Sequence, residues 1–216
     1  MRTPVKVPES TIARLSLYRR ELDRLAEAGR TTISSFELAR ELALSAAQIR
    51  RDLHYFGQFG KAGRGYDVDP LRKVLCNVLG VSNRMWRAGL VGVGNLGRAL
   101  LSYPGFSQQG FKIVIAFDQD PRKIGDRING LRVEDSQRLK ERLHQEPIDI
   151  GIIAVPASAA IEVGQLLCQA GVRAILNFSP RSIHAPSSVQ MRHVDLSREL
   201  EYLSFHLSHG SWEPHA

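Results

Sequence analysis

Residues Gly92-Val93-Gly94-Asn95-Leu96-Gly97 form a G-x-G-x-x-G run entered from the apolar stretch Ala88 to Val91. A strand, a tight turn and the start of a helix suit that pattern best. The chain's charge divides at the same place. Sixteen Lys and Arg stand against nine Asp and Glu in residues 1–87, a net of +7, whereas residues 88–216 carry 13 of each sign. A basic module precedes a neutral one. Neutralising phosphates needs a positive surface and a buried dinucleotide site does not, so the pairing points to duplex-DNA binding joined to dinucleotide binding.

With 216 residues and 43% hydrophobic content, the chain can fill two small cores. The roughly 129 residues after position 87 suffice for one dinucleotide-binding lobe but not for a substrate domain as well, which counts against an enzyme. Cys76 and Cys168 have no metal-ligand spacing and read as reduced thiols or small buried hydrophobes of a cytoplasmic protein. No apolar run approaches ~18 residues and no signal-peptide core opens the chain, so no membrane association or export is expected.

Helical spacing of Ile12, Leu15, Leu17, Tyr18, Leu22, Leu25 and Ala26 predicts a helix over Thr11 to Ala28, with Ser10 or Thr11 as cap. A second helix fits Ser35 to Leu42, with Phe36, Leu38, Ala39 and Leu42 facing a core. After a tight turn, Ser45 caps a third helix from Ala46 to about Tyr55. The pair reads as a helix-turn-helix whose second member can enter the major groove. Its Ile49, Leu53 and Phe56 would face inward while Gln48, Arg50 and Arg51 face out; Arg bonds guanine edges or phosphates and Gln pairs with adenine. The glycine-rich stretch Gly57 to Tyr66 reads as a wing with Lys61 and Arg64 at its tip, or as a solvated basic loop. Asp67 to Val81 reads as a connection ending in a short helix. The candidate DNA-facing residues are Ser45, Gln48, Arg50, Arg51, Tyr55, Lys61, Arg64 and Tyr66.

In the second module, Gly92 allows the tight turn, Gly94 lets a pyrophosphate approach, and Gly97 lets the helix from Leu96 pack on the sheet, its N–H groups facing the phosphates. A strand from Lys112 to Phe117 ends in Asp118, about 21 residues past Gly97. A carboxylate there either caps a turn or accepts the ribose hydroxyls, favouring NAD(H) over NADP(H), with Arg122 and Lys123 close by. Further alternation follows: a short strand at Leu131 to Val133, a helix over Ser136 to Gln145, a strand over Asp149 to Val155, a helix over Ser158 to Ala170 and a strand over Ala174 to Phe178. Such repetition gives a doubly wound parallel sheet. The turns at Val155-Pro156 and Asn177-Phe178-Ser179-Pro180 then lie at strand ends beside the cofactor, unless the prolines only terminate strands.

The motifs Lys6-Val7-Pro8, Ser45 to Leu53, Tyr55-Phe56-Gly57, Gly63-x-Gly65-Tyr66, Gly92 to Gly97, Tyr103-Pro104-Gly105-Phe106, Phe117-Asp118 and Asn177-Phe178-x-Pro180 occur here in one order. In them the chain resembles the Rex redox-sensing transcriptional repressors along nearly its whole length. The resemblance implies an α/β homodimer with an N-terminal winged helix-turn-helix domain, a Rossmann-like doubly wound core and a C-terminal domain-swapped helix, here residues 1–82, 83–192 and 193–216. It implies a repressor that senses NADH against NAD+ and releases a palindromic operator when NADH binds. The swapped helix would be Leu196 to His206, striped by Leu196, Leu200, Leu203 and Leu207. Phe205 would enter the partner's nicotinamide pocket and Tyr103 would respond to cofactor state, although by sequence alone Phe205 also fits a core aromatic. Arg64 stands where the family often has Val and His54 where it often has Ser, which bears on operator preference.

The resulting cofactor set is Gly92, Gly94, Asn95, Leu96, Gly97, Tyr103, Asp118, Val155, Pro156, Asn177 and Phe205. His206, His209 and His215, with Glu201 and Glu213, lack firm metal spacing, and no nucleophile and base stand together, so neither a metal site nor catalysis is expected. The alternative is a nucleotide- or CoA-binding subunit of an enzyme, which shares the glycine turn but leaves the basic helix-turn-helix unexplained.

Overall fold

The structure, a computed structural model, describes residues 7–61 and 63–209; Lys6, Glu213 and His215 lie outside the described residues. The chain falls into two compact units, Met1–Arg84 and Met85–Ala216.

The first unit runs α1 (Glu9–Glu27), β1 (Thr32–Ile33), α2 (Ser35–Glu41), α3 (Ala46–His54), β2 (Gly60–Lys61), β3 (Gly65–Asp67) and α4 (Val68–Val78). Antiparallel pairing in the order β1-β3-β2 makes a small sheet whose β2–β3 hairpin is the wing. Leu15, Tyr18, Leu22 and Leu25 of α1 meet Leu38, Ile49, Leu53, Leu71 and Leu75 in one core. Several expectations are corrected here. Residues 67–81 are no connection: Val68, Leu71 and Leu75 recur at helical spacing and are buried, so α4 belongs to the core. Phe36 is 74% exposed rather than inward-facing, because Leu38 and Ala39 already occupy the buried side of α2. Ile12 and Leu17 likewise lie on the outer side of α1.

Helix starts are set by side chains that local pattern only half discloses. Ser34 caps α2 in a capping box, its Oγ accepting from the Glu37 N–H while Glu37 accepts from the Ser34 N–H. At α1, Ser10 and Thr11 lie inside the helix, which begins after Pro8 without a side-chain cap. The Thr11 hydroxyl donates instead to Asp52 of α3 at 3.0 Å.

That carboxylate joins α1 to α3. Besides Thr11, Asp52 accepts from Arg14 Nε (2.6 Å) and Nη2 (2.9 Å), the Tyr18 hydroxyl (2.7 Å) and Gln48 Nε2 (2.8 Å). Burial pushes the Asp52 carboxyl up, but the hydrogen bonds from Arg14, Tyr18, Gln48 and Thr11 outweigh it and bring it down to about 2. Burial, with the neighbouring carboxylate, pushes the Tyr18 hydroxyl well up.

The second unit contains β4 (Trp86–Val91), α5 (Asn95–Ser102), α6 (Gly105–Gln108), β5 (Phe111–Asp118), β6 (Arg127–Ile128), β7 (Leu131–Asp135), a 3-10 turn leading into α7 (Leu139–Gln145), β8 (Ile150–Ile153), α8 (Ala157–Gln169), β9 (Ala174–Asn177), β10 (Gln190–His193) and α9 (Leu196–His209). The sheet order is β10-β9-β8-β4-β5-β7-β6, parallel except for the β6–β7 hairpin. Both faces are covered, so successive residues alternate between two cores. Leu90, Ala116 and Ile152 point into one with Val93 and Val133, and Val91, Ile115, Phe117 and Ile153 into the other with α7 and α8. The short β6 and the edge strand β10, whose burial is slight, carry little apolar signal in sequence.

Replacing Asp52 with Ala should lower the unfolding free energy of the first unit by about 3–5 kcal/mol, because Arg14, Tyr18 and Thr11 lose a shared buried acceptor. The lowered carboxyl makes this contribution complete above the ordinary carboxylate range and lost as pH falls toward about 2. Thermal unfolding of both proteins between about pH 5 and 2 checks this. The difference should shrink on acidification, and a pH-independent gap contradicts the assignment.

Candidate dinucleotide site and DNA-facing surface

Strand order reverses direction at β4: the chain leaves β4 for β5 on one side and returns to β8 on the other. Ligands of doubly wound sheets bind in the crevice beyond the carboxyl ends of strands at such a switch point. A cavity of about 280 Å³ lies there, lined by Gly92, Gly94, Asp118, Lys123, Val155 and Pro156 among others.

The three glycines have separate reasons. Gly92 has φ +98°, and a Cβ on it would strike the Ala154 carbonyl of the neighbouring turn. A Cβ on Gly97 would strike the Gly92 carbonyl, so α5 can reach the sheet only with hydrogen at this position. Gly94 differs: its φ of −78° suits any residue and a Cβ there would meet nothing within 4 Å. The fold does not need glycine at 94. Open space beside the first turn of α5, whose N–H groups lack helical acceptors, is a cradle for an anionic group such as a pyrophosphate.

Asp118 closes β5 and is 7% exposed. Its Oδ2 accepts from the Val93 N–H at 2.7 Å and from Lys123 Nζ at 3.1 Å, and its Oδ1 accepts from the Asp120 N–H at 2.9 Å. Burial pushes this carboxyl up, yet the two N–H groups and the ammonium prevail and hold it below its ordinary value. Asp118 is therefore an anion within the cavity wall. Arg122 does not reach it, forking instead onto Asp120 at 3.0 and 2.9 Å.

Val155 and Pro156 line this cavity from the turn after β8, whereas Asn95 and Leu96 open α5 and are not among its lining residues. Asn177 is fully buried: its Nδ2 donates to the Arg181 carbonyl at 2.8 Å and lies 3.0 Å from His193 Nδ1, and its Oδ1 accepts from the Ser179 N–H at 2.9 Å. With those partners Asn177 braces the turn after β9. Tyr103, 58% exposed, rests edge-on against Phe106 and borders a separate groove of about 330 Å³. Phe205 is 43% exposed and stacks on His209; no residue of α9 is buried. Among the described residues, no three His, Cys, Asp or Glu side chains are grouped to hold a metal ion, and no helix is long and apolar enough to cross a membrane.

In the first unit, Ser45 caps α3 through the Gln48 N–H at 3.1 Å. Arg50, Arg51 and Tyr55 are exposed, as is Arg64, which pairs with Asp67 at 3.4 Å. Lys61 lies on β2. Two candidates are placed differently from expectation. The Gln48 side chain turns back to donate to Asp52, and Tyr66 is 7% exposed with its ring in the core, because alternation along β3 points it inward. Lys123 and Asp52 are the site-forming residues that sequence reasoning missed as such.

A winged helix with an exposed basic helix, followed by a Rossmann-type core with an anion cradle, defines a nucleic-acid-binding protein built on a dinucleotide fold. The chain matches the family models described as "Putative DNA-binding protein N-terminus" over residues 6–54 and "CoA binding domain" over residues 83–181. It is 46% identical to the redox-sensing transcriptional repressor Rex of Syntrophomonas wolfei over 94% of this chain and 96% of that one, and 45% identical to that of Desulforamulus reducens over 94% and 97%. Among solved structures it is similar to RSP, a Rex-family repressor, in complex with β-NAD+ and operator DNA (TM-score 0.89, 35% identity, 94% of each chain) and in complex with β-NADH (TM-score 0.84, 34% identity, 94% of each chain). The protein belongs to the Rex family of redox-sensing transcriptional repressors.

Two glycine substitutions separate ligand from fold. Gly97→Ala should lose about 1–3 kcal/mol of stability through the clash with Gly92. Gly94→Ala should stay within about 0.5 kcal/mol of the unmodified protein, yet weaken dinucleotide binding by about tenfold or more through lost phosphate contacts. Thermal unfolding and NADH fluorescence titration read the two effects, and a Gly94→Ala protein with full affinity contradicts the cradle.

Proposed function

We propose that this protein is a homodimeric repressor that holds operator DNA with its basic winged helix and releases it when NADH, rather than NAD+, fills the crevice at the end of β4. The observation that carries the reading is Gly94, a position where the fold tolerates a side chain, so that close approach of a bound phosphate would explain the glycine. The complexes of RSP with NAD+ and operator DNA and with NADH support it. A second reading, a CoA- or nucleotide-binding enzyme subunit, has the "CoA binding domain" match in its favour, but gives the wing and the basic α3 no task.

Asp118 would accept the adenosine ribose hydroxyls and, by its charge, disfavour a 2′-phosphate. The 280 Å³ crevice is slightly below the roughly 300–1,000 Å³ usual for small-molecule sites, so a dinucleotide needs further wall. The exposed α9, with Leu196, Leu200, Leu203 and Leu207 uncovered and Phe205 beside them, supports a helix that packs on a second copy and lends it that wall. Bound there, the cofactor supplies a ring that is planar and charged when oxidised and neutral when reduced. Each form can then favour a different angle between the two cores, and the two α3 helices match or miss half-sites spaced by whole helical turns. The curated relatives are transcriptional repressors, which supports sensing without turnover. Such a repressor acts on the chromosome, in the cytoplasm.

Fluorescence anisotropy of a duplex carrying the RSP operator tests the reading. NADH should release the DNA at saturation while NAD+ should not; unchanged DNA affinity across the NADH titration contradicts it. Asp118→Ala should weaken NADH and narrow its margin over NADPH, and equal affinity of the unmodified protein for both would take that role from Asp118. Arg51→Ala should cost about 1–3 kcal/mol of operator binding if it reads a base edge.

A further inference from the structure

We propose that Phe36 and Ser35 act together as a rest for the Arg50 guanidinium, holding it out for contact with DNA; Phe36 is thereby a positioning residue for operator binding. The proposal deepens the DNA-binding reading given above and rests on it.

Phe36 has no structural task in its own helix. It is 74% exposed in the first turn of α2, whose buried side is filled by Leu38 and Ala39. What it does touch is α3. The Arg50 guanidinium carbon lies 5.9 Å from the centroid of the Phe36 ring, and Arg50 Nη1 donates to Ser35 Oγ at 2.9 Å. Two consecutive residues of α2 thus grip one exposed arginine of the recognition helix.

The nature of the grip matters more than its strength. Most arginines of this unit that are held are held by a carboxylate: Arg14 by Asp52, Arg24 by Glu21, Arg30 by Glu37 and Arg64 by Asp67. A carboxylate competes with DNA for the guanidinium and cancels its charge at long range. An aromatic face and a hydroxyl do neither. Arg50 and Phe36 line the same groove of about 760 Å³ between α2, α3 and the wing, and Glu37, the only carboxylate among its described lining residues, has both oxygens engaged by Arg30 and by the Ser34 N–H. Those bonds, the backbone one first, bring Glu37 down to about 2, so it stays ionised and committed to them.

Fixing a long, flexible side chain in advance lowers the entropy lost on binding. In a helix-turn-helix the first helix crosses the DNA backbone while the second enters the groove, so a guanidinium gripped between the two faces the nucleic acid. Desolvation on complex formation then strengthens the contact between the cation and the ring.

The test is a double-mutant cycle on the full-length protein, read by anisotropy of a fluorescent duplex carrying the RSP operator at fixed salt. Phe36→Ala should weaken binding about five- to thirtyfold. Phe36→Trp should restore most of the affinity and Phe36→Leu should not, because the ring's face rather than its bulk carries the effect. In an Arg50→Ala background, Phe36→Ala should change affinity less than about twofold. Thermal unfolding and NADH affinity of the Phe36 variants should match the unmodified protein. The proposal is overturned if Phe36→Ala binds DNA normally, if Phe36→Leu rescues as well as Phe36→Trp, or if the loss persists in full without Arg50. Failure of the unmodified protein to bind duplex DNA at all would instead remove the DNA-binding reading and this inference with it.

Discussion

The hydrogen bond from the Val93 N–H to Asp118 ties the glycine turn after β4 to the end of the neighbouring strand. It fixes where the turn stands, and hence where the N-terminus of α5 points. Burying a carboxylate is costly unless donors surround it, and Asp118 gathers two N–H groups and the Lys123 ammonium. The same arrangement keeps it ionised next to the place where ribose hydroxyls would lie. One anion thus shapes the site and, on the proposed reading, sets its preference for NAD(H).

The basic unit follows a parallel logic. Asp52, on the inner side of α3, collects donors from Thr11, Arg14, Tyr18 and Gln48 and so fixes the recognition helix on α1. With the inner side so anchored, the outer side is free to carry Arg50 and Arg51. Apolar packing of Ile49 and Leu53 alone leaves rotation and sliding of a nine-residue helix weakly specified; several directed bonds to one carboxylate specify it.

Much of this was legible in the sequence, and what was not shares a physical cause. Periodicity located α1, α2, α3, α5, α7 and α8 and the strands β4, β5, β8 and β9, because burial on one side of a helix or both faces of a parallel sheet leaves a regular apolar trace. Gly92, Gly94 and Gly97 were legible through the spacing that a phosphate turn demands. Positions decided by long-range pairing were not. Asp52 reads as an ordinary surface acid of a helix until Thr11 and Arg14, some forty residues away, are seen to meet it. Tyr66 in a glycine-rich stretch reads as a wing residue until the strand register turns it inward, and the bonds by which Asn177 braces the turn after β9 are visible only in three dimensions. Phe36 misled in the opposite sense: it falls on a plausible core position, and only three-dimensional packing reveals that the core is full without it.

The central claim is that one chain couples a nicotinamide crevice to a DNA surface. Linkage makes that coupling reciprocal, so the most direct measurement is the NADH dissociation constant with and without saturating operator duplex, alongside the same pair for NAD+. Operator should weaken NADH by the factor by which NADH weakens operator, and should leave NAD+ unchanged or tighter. Identical NADH affinity in the presence and absence of operator would contradict the account, even with both ligands shown to bind.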